Sequence, residues 1–135
     1  MKANFINASG IPIPRPHNLA RLAEKILRKE GLQGEINLIF CENGHIRDLN
    51  RRFRKLDKIT DVLSFNYDEE EILGEIYVAA AQAKKQAPRW KNTFYSELRR
   101  LVTHGALHLA GYDHIKAKDR ASMQAKEEYY LAHKL

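Results

Sequence analysis

Three histidines near the C-terminal end of the sequence have the spacing of metal ligands. The segment reads His104-Gly-Ala-Leu-His108-Leu-Ala-Gly111-Tyr-Asp-His114. Residues four apart lie on one face of a helix, so His104 and His108 can direct their imidazole rings to one point. Gly111 can reverse the chain with a positive φ, which brings His114 to that point from a third direction. Three imidazoles leave a fourth tetrahedral position for water, which is typical of a catalytic zinc site.

The alternative is a helix with two incidental histidines and a third histidine in a nearby loop. The added Gly111 and His114 favour a metal site over that alternative. We expect a single zinc ion per chain, although nickel, copper and iron also accept imidazole ligands. His17, His45 and His133 have no such arrangement, and we expect them to be surface or cap residues.

The histidine spacing also occurs in metzincin metalloproteases, in which glutamate follows the first histidine. That glutamate is the general base of those proteases, and here the position is Gly105. Peptide hydrolysis is therefore a minor alternative. No general base other than metal-activated water is evident in the sequence.

A second distinctive segment joins a basic helix end to a strand. Residues 49–57 read LNRRFRKLD, and residues 60–65 read TDVLSF. Taken alone, this pattern predicts a basic amphipathic helix, a turn and a strand, with the arginines in solvent.

Together with the histidines, these segments resemble the YbeY family of bacterial metal-dependent endoribonucleases, which act in ribosomal RNA maturation. The resemblance is densest from Leu49 to His114, and chain length and element order fit it throughout. Two positions depart from the family pattern: Ile59 replaces a usual proline, and Glu75 replaces a usual aspartate while keeping the charge. The matching residues are Leu49-Asn50, Phe53-Arg54, Thr60-Asp-Val-Leu-Ser-Phe65, Leu73-Gly-Glu-Ile76 and His104-Gly-x-Leu-His-Leu-x-Gly-Tyr-Asp-His114.

The resemblance implies a single-strand-specific endoribonuclease that acts in ribosomal RNA processing and ribosome quality control. Arg54 matches the functional arginine of the family, and a guanidinium can bind two oxygens of a phosphoryl group as negative charge develops. Zinc would lower the pKa of bound water towards ~7 and polarise a phosphate oxygen. Arg51 and Arg52 are expected to contact other backbone phosphates or solvent.

Further polar residues flank the predicted centre. Asp113 could orient a ligand histidine from behind, a common requirement of histidine–metal sites. A loop-capping role explains Asp113 equally well. Asp61 and Ser64 could shape the floor of a cleft, although turn and strand roles suffice to explain them.

The composition predicts one globular domain over residues 1–135, since 44% of the chain is hydrophobic and 30% is charged. The net charge of +6 favours polyanionic partners, here ribosomal RNA precursors and the ribosome or its proteins. Cys41, the single cysteine, is expected to be a buried small hydrophobe. With no apolar signal region and no membrane-length apolar run, we expect a cytoplasmic protein without membrane contact.

The periodicity predicts the element order β-α-β-α-β-β-α-α-α, which is an α/β or α+β fold. A small mixed sheet is packed with helices, and the metal site lies on a central helix (about 93–110) and the following loop. Asn43 is expected to cap the second helix.

Two hypotheses of different classes compete. The first is a zinc-dependent endoribonuclease, and the second is an RNA-binding ribosome-assembly factor whose metal is mainly structural. A hydrolase of another substrate on the same metal site is a third. The open coordination position and Arg54 favour the nuclease.

Overall fold

The computed structural model describes residues 1–67, 72–113 and 116–132. His114 and His133 lie outside these residues. The strands are β1 (Lys2–Asn7), β2 (Glu35–Cys41), β3 (Val62–Asn66) and β4 (Ile72–Ala79). The helices are α1 (Pro16–Lys29), α2 (Asn43–Arg54), α3 (Ala80–Gln86), α4 (Phe94–Leu109) and α5 (Ala117–Ala132), with a short 3-10 turn at Ala87–Trp90.

The predicted α/β fold and element order are confirmed, with element ends shifted by one or two residues. The prediction that Asn43 caps α2 is wrong. The helix begins at Asn43 itself, so the extended Glu42 takes the cap position and makes no side-chain cap bond. The Asn43 Oδ1 atom is buried without a hydrogen-bond partner among the described residues.

The described strands form one mixed sheet in the order β1-β2-β4-β3. The β1–β2 and β2–β4 pairs are parallel, whereas β3 runs antiparallel to β4. Strand β3 therefore lies at an edge of the sheet, with its partner β4 on one side only. This edge position leaves its carbonyl groups accessible to side chains from neighbouring elements.

The two faces of the sheet are covered unequally. On one face, Ile36 and Ile76 lie in the main core, to which α1 and α4 contribute their apolar sides. On the other face, α2 packs a smaller cluster that contains Ile46 and Cys41. Burial raises the pKa of the Cys41 thiol to about 12, which agrees with the predicted inert role of this residue.

Helix α4 lies unusually close to the sheet at Gly105. A Cβ atom at this position would come within 2.6 Å of the Cγ2 atom of Ile76 and 3.1 Å of Ser64 Oγ. Ser64 Oγ donates a hydrogen bond of 2.9 Å to the Gly105 carbonyl oxygen. Because Gly105 has no side chain, the sheet can approach the backbone of α4 closely. The contact with Ile76 and the hydrogen bond from Ser64 then fix the position of the helix relative to the sheet.

Helix α5 is held to the rest of the molecule by Glu30, which follows α1. This carboxylate accepts hydrogen bonds from Tyr112 Oη at 2.6 Å, from Lys126 Nζ at 3.2 Å and from Tyr130 Oη. Burial tends to raise the pKa of Glu30, but the hydrogen bonds from Tyr112, Tyr130 and Lys126 outweigh it and lower the pKa below its ordinary value. The ionised carboxylate therefore joins α1, α5 and the turn after α4.

The Gly105→Ala substitution is expected to lower the free energy of unfolding by about 1–2 kcal/mol. Overpacking costs about 1–3 kcal/mol, and the better helix propensity of alanine offsets at most about 1 kcal/mol. Urea denaturation measures the difference. Gly44→Ala is the matched control, since a Cβ atom there meets nothing within 4 Å. A Gly105→Ala protein as stable as Gly44→Ala would contradict the close packing.

The contribution of Glu30 to stability is expected to depend on pH. Because its pKa is lower in the folded chain, the stabilisation is present at neutral pH and is lost as the pH falls below the unfolded value of about 4.3. The difference in unfolding free energy between wild type and Glu30→Gln should therefore shrink towards acid pH. Urea titrations at several pH values measure it, and a difference independent of pH would refute the proposed ionic contact.

Candidate metal centre and adjoining cleft

Helix α4 carries the histidine pair and spans Phe94–Leu109, one residue shorter at each end than predicted. The Thr93 hydroxyl oxygen accepts a hydrogen bond of 3.1 Å from the backbone N–H of Ser96, which caps the first turn. The chain leaves the helix through Gly111 at φ +99°. His104 and His108 are partly buried, between the buried side of α4 and solvent. The pair therefore lies at the rim of the core.

The rings of His104 and His108 face each other. Their Nε2 atoms are 3.0 Å apart, and their ring planes are inclined at 76°. Two nitrogens bound to one tetrahedral zinc ion at ~2.0–2.1 Å lie about 3.3 Å apart. The pair is thus close to the separation that a shared metal ion requires, and neutral imidazole nitrogen is a donor that zinc, copper and nickel accept.

The third predicted ligand, His114, lies outside the described residues. Within the part of the chain that is described, no set of three His, Cys, Asp or Glu side chains is placed to hold a metal ion. The three-histidine centre therefore stays a prediction. The structure brings two of its three residues, His104 and His108, close together. Asp113 directly precedes His114, and its predicted orienting role stays a prediction as well.

Glu127 of α5 contacts the other nitrogen of His104. Its Oε1 atom lies 2.8 Å from His104 Nδ1, and both side chains are about three-quarters buried. A carboxylate that accepts the Nδ1 proton leaves the lone pair on Nε2, the atom that faces His108. The sequence analysis missed Glu127, because it lies 23 residues from His104 and only the packing of α5 on α4 brings the two together.

A cleft of about 320 Å³ opens beside the histidine pair. It runs between the end of α2, the following loop, β3 and α4, so elements distant in sequence share one cavity. Residues from both sequence motifs face it, as the resemblance implied. Its lining consists of Asn50, Arg54, Leu56, Lys58, Thr60, Asp61, Val62, Leu63, Ser64, His104 and His108.

Arg54 reaches the cleft from the last turn of α2. The helix ends there because Lys55 adopts a left-handed conformation at φ 57°. The Nη2 atom of Arg54 donates a hydrogen bond of 3.2 Å to the carbonyl oxygen of Ser64. Since the Ser64 hydroxyl in turn bonds the Gly105 carbonyl, the arginine is positioned relative to the histidine helix through edge strand β3.

The loop before β3 is fixed by a buried acidic network. Asp61 Oδ2 accepts a hydrogen bond of 3.0 Å from Gln86 and lies 3.8 Å from the Arg100 guanidinium. Glu97, which is fully buried, binds Arg100 through two hydrogen bonds of 2.8 and 2.7 Å. Burial opposes ionisation of Glu97, but hydrogen bonds from Arg100 and Gln86 lower its pKa. Asp61 and Ser64 both line the cleft, and an interaction of either with a metal ligand stays a prediction.

The surroundings of Gly105 test the metzincin peptidase alternative, which requires a glutamate at this position. Gly105 packs against Ile76 and β3, on the sheet side of α4, and a side chain there would meet the core. A glutamate of the metzincin type has no room at this position. The structure therefore agrees with the rejection of that mechanism.

Comparisons with known proteins agree with these observations. The family model described as "Endoribonuclease YbeY" matches residues 8–134. Curated relatives named Endoribonuclease YbeY include one from Desulforamulus reducens, 39% identical with 84% of this chain and 85% of the relative covered. Another, from Thermotoga maritima, is 41% identical with 84% of this chain and 77% of the relative covered. A solution structure of a Thermotoga maritima protein superposes with a TM-score of 0.67 at 37% identity, covering 96% of this chain and 86% of that one.

The matched proteins define a class of hydrolytic RNA-cleaving enzymes. Within that class, this chain belongs to the endoribonuclease YbeY family. The resemblance predicted from the sequence is thereby confirmed. Among the helices that the structure describes, none has the length and apolar composition needed to cross a bilayer.

Glu127→Ala is expected to weaken metal binding by roughly 10- to 100-fold, as for other carboxylates that hold a ligand histidine. Glu127→Gln should recover part of the affinity, since its amide oxygen can still accept a hydrogen bond from the Nδ1–H group of His104. Competition with a chromogenic chelator measures the dissociation constant without any activity assay.

Glu128→Ala is the matched control, because Glu128 is an exposed carboxylate on the same helix that contacts Gln124. His108→Ala sets the lower limit, since it removes a predicted ligand. If Glu127→Ala bound metal as tightly as Glu128→Ala, the support of His104 by Glu127 would be disproved.

Proposed function

We propose that residues 1–135 form a single zinc-dependent endoribonuclease domain that cleaves single-stranded ribosomal RNA precursors in the cytoplasm. As a member of its family the chain is a hydrolytic nuclease of the endoribonuclease class, and its substrate is RNA. The observation that carries the finer proposal is the shared cleft, in which Arg54 faces the same cavity as His104 and His108.

The proposed ligand set is His104, His108 and His114. These three residues would hold a zinc ion, which would supply Lewis acidity towards a phosphoryl oxygen and water. Glu127 keeps the Nδ1 proton on His104, so the Nε2 atom of that ring presents its lone pair towards His108.

Arg54 is the proposed catalytic residue. Cleavage of a phosphodiester builds negative charge on the phosphoryl oxygens, and a planar guanidinium can donate to two of them. The carbonyl of Ser64 holds one Nη atom of Arg54, which limits the rotation of the side chain before substrate arrives. A preorganised donor needs less rearrangement during reaction, so the contact supports a role in stabilising the charge.

Charge around the arginine supports RNA as the substrate. Arg51 and Arg52 both pair with Asp48, at 2.5 and 3.6 Å. Arg54 instead donates a hydrogen bond to a neutral carbonyl group, and Lys58 adds a second cation to the cleft lining. With a net charge of +6, the chain attracts a polyanion such as ribosomal RNA, and we propose that the ribosome presents this substrate.

Arg54→Ala is expected to keep the fold and the metal but to lose cleavage by ~10²–10³-fold, the cost of one preorganised donor. Arg54→Lys should restore only part of the rate, because an ammonium group lacks the planar two-point contact. Cleavage of a single-stranded RNA by zinc-reconstituted protein, at saturating substrate, measures the effect. Removal of zinc by a chelator should abolish cleavage, and added zinc should restore it.

Arg28→Ala is the matched control, since it removes the same charge from an exposed position on α1 that does not line the cleft. An Arg54→Ala protein that cleaves at the wild-type rate would exclude the arginine from the mechanism. A fully metal-loaded wild type that cleaves no RNA would instead favour the assembly-factor hypothesis.

A further inference from the structure

Phe53 exposes an aromatic ring where the helical pattern would bury it. Ile46 and Leu49, on the same side of α2, are buried in the cluster below the sheet, whereas Phe53 is 62% exposed. The helix extends beyond the edge of that cluster, so its last turn carries an apolar ring into solvent. An exposed aromatic ring of this kind can stack against a flat ring of a ligand.

The exposed ring has support on one side. The Phe65 ring lies 5.4 Å from Phe53 between centroids, in an edge-to-face arrangement. Phe65 in turn lies 5.8 Å from Tyr77 on β4, also edge to face. Phe53 is thus the outer member of a row of aromatic rings on the sheet, and this packing limits the orientations that the ring can take.

A guanidinium group lies near each ring of the Phe53–Phe65 pair. The guanidinium carbon of Arg52 lies 5.7 Å from the Phe53 centroid, and that of Arg54 lies 6.0 Å from the Phe65 centroid. Arg54 also lines the cleft. An exposed aromatic face bordered by guanidinium groups is complementary to a chain of flat, uncharged rings joined by anionic groups, which is the chemistry of a single-stranded nucleic acid.

We propose that Phe53 stacks against a base of single-stranded RNA, next to the phosphate that Arg54 binds. The proposal rests on the proposed function, since it adds a base-binding position next to Arg54, which lines the cleft. A base-paired duplex keeps the faces of its bases within the helical stack, so it cannot offer one to Phe53. The ring therefore selects single strands without reading their sequence.

Binding is measured with chelator present, so that the RNA stays intact. Fluorescence anisotropy with a short labelled oligouridylate gives the dissociation constant, and a duplex of equal length serves as the comparison. Phe53→Ala is expected to weaken single-strand binding by roughly 5- to 100-fold, the effect of losing one stacked base. Duplex binding should change little.

Three variants separate stacking from other effects. Phe53→Leu keeps an apolar side chain but has no ring, and it should lose as much affinity as Phe53→Ala. Phe53→Tyr should bind like wild type. Trp90→Ala is the matched control, because Trp90 is a similarly exposed aromatic residue, at 66%, that lies in the 3-10 turn Ala87–Trp90 and not beside Arg54 on α2.

A spectroscopic signal tests the contact directly. Phe53→Trp in a Trp90→Phe background leaves a single tryptophan in the chain. Its fluorescence should be quenched by the single strand and not by the duplex. The loss caused by Phe53→Ala should also be the same at low and moderate salt, whereas Arg54→Ala should reduce the salt dependence, since it removes a phosphate contact.

The inference is wrong if Phe53→Leu binds the single strand as wild type does, if the duplex loses as much affinity as the single strand, or if wild type binds no single strand. An unchanged RNA affinity in Phe53→Ala would assign the ring to a protein partner. Because these assays need no cleavage, they fail separately from the proposed nuclease activity.

Discussion

The close approach of α4 to the sheet at Gly105 sets the geometry of the whole candidate site. Without a side chain there, Ile76 and Ser64 reach the helix backbone, and the Ser64 hydroxyl bonds the Gly105 carbonyl. The backbone carbonyl of Ser64 also accepts a hydrogen bond from Arg54. Because the histidines lie on that helix, one strand residue fixes the arginine and the imidazoles in a common frame.

The sequence predicts most of what depends on local geometry. Apolar periodicity gives the element order, and the four-residue spacing places His104 and His108 side by side, since both follow from the helical repeat. The position of Arg54 beside them came only from the family resemblance, because the packing of α2 and α4 against β3 is a tertiary feature. Glu127 and the strand order β1-β2-β4-β3 gave no local signal for the same reason.

The acidic and basic side chains around the cleft differ in whether an opposite charge lies beside them. On one side, Asp61 and the buried Glu97 share one cation, Arg100, so one of their two negative charges is compensated. On the other side, Arg54 contacts a carbonyl dipole and keeps its full positive charge. This asymmetry reduces the repulsion that a phosphate would meet at Asp61 and directs it towards the arginine.

Helix α5 supplies Glu127 to the candidate site, although few of its own side chains are buried. It buries Met123 and Tyr130 in the core, but most of its other side chains face solvent, and Glu30 supplies much of its polar attachment. Elements with few buried contacts open locally without global unfolding. Each such opening separates Glu127 from His104 while leaving both histidines on α4. Amide exchange in α5 therefore reports how often the His104 imidazole loses its carboxylate partner while the sheet stays intact.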